Sequence, residues 1–60
     1  MKSNQDHLDE FIDYLSNITD SQVLGVIDKE QYAVDTNPND GFRRWCLKLA
    51  KIEGRRRNLI

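Results

Sequence analysis

Apolar residues recur at helical spacing in three stretches of this chain. In the first, residues 4–18, Leu8, Phe11, Ile12 and Leu15 stand at i, i+3, i+4 and i+7, while Asp6, Asp9, Glu10 and Asp13 gather on the other side. That is the stripe of an amphipathic helix. Ser3 or Asn4 offers the cap, and early acids suit the positive end of the helix dipole. The second stretch opens on Thr19-Asp20-Ser21-Gln22, a capping box with Thr19 as cap and Gln22 reaching back; Ile18 and Val23 fit the accompanying hydrophobic staple. Val23, Val26, Ile27 and Val34 then mark one helical face ending near Tyr32 or Val34. The run at residues 23–27 is rich in β-branched residues and contains Gly25, which gives it some strand character. No second strand is visible to pair with it, so the reading is a helix. Gly25 weakens that helix by about 1 kcal/mol relative to Ala, or else admits close approach of another helix.

Between Asp35 and Gly41 the chain is turn-rich. Asn37 can cap a third helix with Pro38 at its first position, where no amide donor is needed; a start at Asn39 or Asp40 fits equally well. The third stretch has the largest apolar surface: Phe42, Trp45, Cys46, Leu49 and Ile52 on one side, with Arg43, Arg44, Lys48, Lys51 and Arg55 on the other. Gly54 ends this helix, or it continues through Arg55-Arg56-Arg57, whose charge suits a helix C-terminus. The pattern predicts an all-α, compact three-helix domain spanning residues 1–60. Its helices lie at about 4–17, 20–33 and 38–57, the longest and most basic at the C-terminus. The expected core is Leu8, Phe11, Ile12, Leu15, Ile18, Val23, Ile27, Phe42, Trp45, Leu49 and Ile52.

Charge sharpens this picture. The net charge is −1, but residues 1–40 carry nine acidic and two basic side chains, a balance of −7, and residues 41–60 carry seven basic and one acidic, a balance of +6. Such asymmetry implies internal docking of the halves or two differently charged surfaces for partners. Size bounds the chemistry. A chain of 60 residues buries only about 60% of its unfolded surface; with one Cys there is no disulfide, so good helix packing or a partner, including a second copy, must help. One His (His7) and one Cys (Cys46) do not make a metal site of the usual three or four N/S ligands. His7 lacks a nearby nucleophile, Cys46 on the apolar stripe reads as a buried inert thiol, and Asp9 and Asp13 on an exposed face have nothing to split their pKa values. No cofactor or catalytic residue is expected, and the reading is non-enzymatic. No apolar run is long enough to span a membrane, and Met1-Lys2-Ser3-Asn4-Gln5-Asp6 lacks a signal-peptide core. With a lone Cys, the expectation is a cytoplasmic protein.

Two partner modes remain. The basic face (Arg43, Arg44, Lys48, Lys51, Arg55) and the acidic face (Asp6, Asp9, Glu10, Asp13) can each steer a charged protein partner, with Trp45 and the tyrosines as anchors. Alternatively, the basic face contacts nucleic-acid phosphates. The long connection between the second and third helices and a pI near 5.6 count against a helix-turn-helix.

The stretch Val26-Ile27-Asp28-Lys29-Glu30-Gln31-Tyr32 resembles the second-helix signature of the Hha/YmoA proteins, chiefly at Val26, Ile27, Lys29 and Tyr32. The resemblance implies a small all-helical co-regulator of the kind that binds the nucleoid protein H-NS. Thr19-Asp20 with Val23-Leu24, then Asp40 and Phe42, then Arg56-Arg57-Asn58-Leu59, is similar in layout to the helical hairpin of the Sda sporulation-kinase inhibitors. Both resemblances imply a non-enzymatic protein that acts by occupying a larger one. The expected function is therefore regulation or inhibition through protein binding, as in phage- or mobile-element-encoded inhibitors, with a nucleic-acid-binding regulator as the alternative.

Overall fold

The three stripes become three helices. The structure, a computed structural model describing residues 3–60, contains α1 (Asn4–Asn17), α2 (Asp20–Thr36) and α3 (Gly41–Arg56), and no strand among the described residues. Met1 and Lys2, which begin the segment tested above for a leader, lie outside the described residues. Both predicted starts are closed by reciprocal caps. Thr19 Oγ1 accepts from the Gln22 N–H (3.2 Å) and Gln22 Oε1 accepts from the Thr19 N–H (2.9 Å). Ser3 and Asp6 repeat the arrangement at α1, each backbone N–H donating to the other's side chain at 3.2 Å. Asp6 thus holds a cap as well as adding charge to the acidic face.

The third helix starts later than the expected residue 38. α2 runs on to Thr36, past the expected end at residue 33, and Asn37 closes it by donating its N–H to the Ala33 carbonyl (2.9 Å). Asn37 is therefore committed to ending α2. Asp40 caps α3 instead, its Oδ1 accepting from the Arg43 N–H (3.2 Å). At 17 and 16 residues, α2 and α3 are nearly equal in length.

α3 packs mainly on α2 and secondarily on α1, while α1 and α2 scarcely touch. The contacts at its ends give the directions. His7 meets Phe42 edge to face at one end of α1 and α3, and Arg57 reaches the Leu15 carbonyl at the other, so these helices run parallel. Arg43 pairs with Glu30, and Arg57 with Asp20, so α2 runs antiparallel to α3. The body measures 31 × 26 × 14 Å, and its shallow third dimension leaves little interior. The buried apolar residues are Leu15, Val23, Ile27, Cys46, Leu47 and Ala50, with Phe11, Ile18, Val26, Val34, Leu49 and Leu59 half-buried around them.

This core corrects the expected one on α3. The face turned inward carries Cys46, Leu47, Ala50, Glu53 and Gly54, so the helix is rotated by about 100°, one residue's arc, from the expected stripe. Trp45 and Ile52 are about half exposed, as is Ile12 on α1. The reason is steric. Cys46, Ala50 and Gly54 form a line of small residues at every fourth position, which lets α2 approach closely. A Cβ built on Gly54 would lie 3.0 Å from Ile27 Cδ1 and 3.3 Å from Ile60. A Trp in that seam would hold the helices apart. Gly25, the glycine expected to admit a neighbour, has nothing within 4 Å of where its Cβ would be.

The C-terminus of α3 is turned back by a Schellman motif. Asn58 sits at φ 62°, the Leu59 N–H donates to the Gly54 carbonyl (2.8 Å) and the Asn58 N–H donates to that of Arg55 (3.0 Å). Leu59 is thereby laid on the core and Ile60 over Gly54. Just before this turn, Arg57 reaches across to the α1–α2 junction. Its guanidinium donates to the carbonyls of Leu15 (2.8 Å) and Ile18 (2.8 Å), to Asp20 Oδ1 (3.0 Å) and to the Glu53 carboxylate. Leu15 O is one of the carbonyls that the end of α1 leaves without a helical partner, and α1 has no basic residue in its own last turn.

Two consequences can be measured. Gly25→Ala should raise stability by about 0.5–1 kcal/mol, since it fills open solvent with a better helix former. Gly54→Ala should raise it by less or lower it, because Ile27 and Ile60 must yield. Urea midpoints of the two variants decide the order. Second, hydrogen bonds from Arg56 and Arg57 lower the Glu53 pKa from its ordinary 4.5 to about 2. The folded state prefers the ionised form, so this stabilisation is complete above about pH 4.5 and disappears as pH falls towards 2. Glu53→Gln should unfold at lower urea than the parent at pH 7, and the gap should close across that window. Arg57→Ala should lower the melting temperature more than Arg56→Ala, since Arg56 touches Glu53 alone among these partners.

Candidate protein-binding surfaces

α3 sits between the other helices, and two of its faces remain open. The first lies beside α1, where parallel packing leaves a groove of about 220 Å³ lined by Gln5, Leu8, Ile12, Trp45 and Leu49. Its floor is apolar because Leu8 and Ile12 of α1 face Trp45 and Leu49 of α3. Trp45 is 53% exposed, and Ile52 at 49% extends the apolar strip along α3. These residues were expected in the core; displaced from the α2 seam by their size, they line the surface instead. The rims of the groove carry opposite charges. On the α1 side, Gln5 donates to Asp9 Oδ1 (3.0 Å), and Asp13 follows one turn later. On the α3 side, Lys48 Nζ lies 4.9 Å from the centre of the Trp45 ring, a cation–π contact, and Arg44 precedes it by one turn.

The second open face belongs to α3 alone. Arg44, Lys48, Lys51 and Arg55 surround a shallow concavity of about 250 Å³ with Leu47 in its floor. The spacing of 44, 48, 51 and 55 is that of one helical face, and none of these four has an ion-pair partner among the described residues. Arg43, expected with them, is placed elsewhere. It turns towards α2 and donates to the buried Glu30 (3.1 Å), which compensates a carboxylate that would otherwise be stranded in the core. Arg56 and Arg57 are likewise engaged with Glu53. Sequence reasoning missed the buried Glu30 and Glu53. The signal was their position, one helical turn or so from core residues Ile27 and Ala50, with arginines at matching places.

On the acidic face, Asp6 serves the α1 cap and Asp9 accepts from Gln5. Asp13 contributes its backbone carbonyl to the side chains of Ser16 (2.8 Å) and Asn17 (2.7 Å), leaving its carboxylate at the surface. Asp6, Asp9, Glu10 and Asp13 are all exposed.

The candidate reactive groups are separated. His7 is exposed, against the edge of Phe42. Cys46 is buried on the α2 side; burial pushes its thiol pKa up, Glu30 and Asp40 add to this, and Arg43 opposes it. Among the described residues, no group of three His, Cys, Asp or Glu side chains converges as a metal site would require, and no helix is long and apolar enough to cross a membrane. Comparison with known proteins found no matching family model, curated protein or solved structure.

The Cys46 environment gives a direct expectation. At neutral pH the thiol should react with an aromatic disulfide reagent far more slowly than free cysteine, and denaturant should restore the free rate. Full reactivity in the native chain would mean that the α2–α3 seam opens readily.

Proposed function

We propose that this chain is a small non-enzymatic regulator or inhibitor that acts by docking on an acidic surface of a larger protein. The observation that carries this reading is the α3 face formed by Arg44, Lys48, Lys51 and Arg55 around Leu47: four cations with no ion-pair partner among the described residues, around an apolar spot. Elsewhere on the same helix, Arg43, Arg56 and Arg57 are each matched to a carboxylate. A partner with acids at complementary spacing would gain long-range steering and an apolar contact together. The resemblance to two families of small helical regulators points to the same class of action.

A second reading rests on the spacing of the same four residues. The first and last are eleven residue steps apart, about 16 Å of helix at 1.5 Å per residue, which suits contact with a phosphate backbone. Four such contacts would give a log–log salt slope of about −3.6. Against it stand the acids at residues 1–40, with a balance of −7, which a duplex must avoid.

One experiment separates the readings. Tagged protein is incubated with lysate with and without nuclease, alongside titration of random duplex DNA at several salt concentrations. The protein reading expects one dominant partner that survives nuclease and is lost in Lys51→Glu/Arg55→Glu at unchanged helicity. Duplex binding with the steep slope, and no nuclease-resistant partner, would replace it with the second reading.

A further inference from the structure

We propose that the groove between α1 and α3 is the interface of a parallel, two-fold homodimer, in which α1 of each copy lies over α3 of the other. The groove is apolar along its floor, with Leu8, Ile12, Trp45 and Leu49. On the α1 side its lining residue Gln5 is bonded to Asp9, and on the α3 side its lining residue Trp45 lies under Lys48; Asp13 and Arg44 stand one helical turn from these along the same two helices. A surface of this kind is complementary to itself. Because α1 and α3 run parallel, a two-fold axis directed along the groove keeps all four helices parallel and brings each acidic rim against a basic one, twice. Asp9 then stands near the level of Arg44 in the other copy, and Asp13 near that of Lys48, with each Trp45 laid over Ile12. A two-fold axis across the groove would set α1 on α1 and acid against acid, which repulsion disfavours. Charge therefore selects both the occupant and its orientation.

Burial supports the same conclusion. A stable interface takes about 800 Å² from each copy. That is about a fifth of this molecule's 4364 Å², a share that one two-helix side of a three-helix body can supply. Trp45, Ile52 and Ile12, each about half exposed, are the large apolar residues left open on this side of the body; Tyr14, Leu24, Tyr32 and Ile60 are the others exposed among the described residues. Pairing would cover Trp45 and Ile12 while leaving Lys51 and Arg55 available in two copies.

The test uses the full chain. Sedimentation equilibrium from about 1 µM to about 1 mM should show a transition from 7.1 kDa to twice that mass. The emission of Trp45, the only tryptophan, should shift to the blue over the same range, and the melting temperature should rise with concentration. Asp13→Lys and Lys48→Glu should each weaken association about tenfold or more, and the double variant Asp13→Lys/Lys48→Glu should recover most of the loss, with helicity by circular dichroism unchanged in all three. A monomer throughout with constant emission would overturn the proposal. So would a dimer in which the double variant is no better than the singles, or a monomer whose emission shifts only when a foreign amphipathic peptide is added.

Discussion

The arrangement of the three helices depends on one side chain near the end of the chain. Arg57 donates to two carbonyls at the end of α1, to a carboxylate at the start of α2 and to Glu53 one turn back on its own helix. Each partner needs it for a different reason. The carbonyls at the end of α1 have no helical donor, and burying one unpaired costs free energy. Asp20 and Glu53 carry charge, and Glu53 is nearly buried, so without a cation its ionised form would be disfavoured. A planar guanidinium with several fixed donors can serve all of them together, whereas a lysine ammonium cannot. α1 and α2 scarcely touch by themselves, so α1 is held by this clamp at one end and by apolar contact with α3 along its length. Asn58 makes the clamp possible: its left-handed backbone turns the chain just after Arg57, returns Leu59 to the core and lays the half-exposed Ile60 beside Gly54.

The second constraint is the narrow seam between α2 and α3. Small residues at 46, 50 and 54 bring the helices together, and Val23 and Ile27 fill the space from the α2 side. Close packing of this kind has a consequence elsewhere on the helix. Trp45 and Ile52 are turned away from α2, and the shallow body has no other interior to receive them. The exposed apolar strip is thus produced by the same geometry that makes the α2–α3 contact tight. A shift of α3 that buried Trp45 would have to open the seam, lifting Ile27 from Gly54 and drawing Arg57 away from the α1–α2 junction.

Much of the fold was legible in the residues, and the limits have identifiable causes. Capping boxes at Ser3 and Thr19 are local chemistry, since each needs only two side chains three positions apart. The α1 stripe and the α2 face are likewise local, and Leu15, Val23 and Ile27 are buried as their periodicity required. The third helix was harder because two overlapping stripes compete on it. The larger residues at 42, 45, 49 and 52 dominate by hydrophobicity, whereas the smaller ones at 46, 50 and 54 dominate by closeness of approach. Choosing between them depends on what α2 presents. The start of α3 was ambiguous for a similar reason: Asn37 is a good N-cap by type, and its use at the end of α2 is decided by how far α2 extends. Arg43 looked like its basic neighbours because nothing local marks Glu30, thirteen positions away, as buried.

The charge asymmetry can now be apportioned. Arg43–Glu30 and Arg57–Asp20 join the basic end to the acidic front, so part of the imbalance serves internal docking. What remains is organised by α3. The cations at 44, 48, 51 and 55 surround Leu47 on one face, and Lys48 also reaches over Trp45 at the groove, whose α1 side carries Asp9. Mere solubility would be served as well by charges of both signs interspersed over the surface. Here the cations without an ion-pair partner among the described residues share one helical face, and the exposed acids of α1 share another. Separation costs some self-repulsion along each helix, which opposite charge brought in from outside would offset. In the proposed docking and pairing, a partner surface would supply that charge, and the apolar strip beside α1 would give the encounter something to bury.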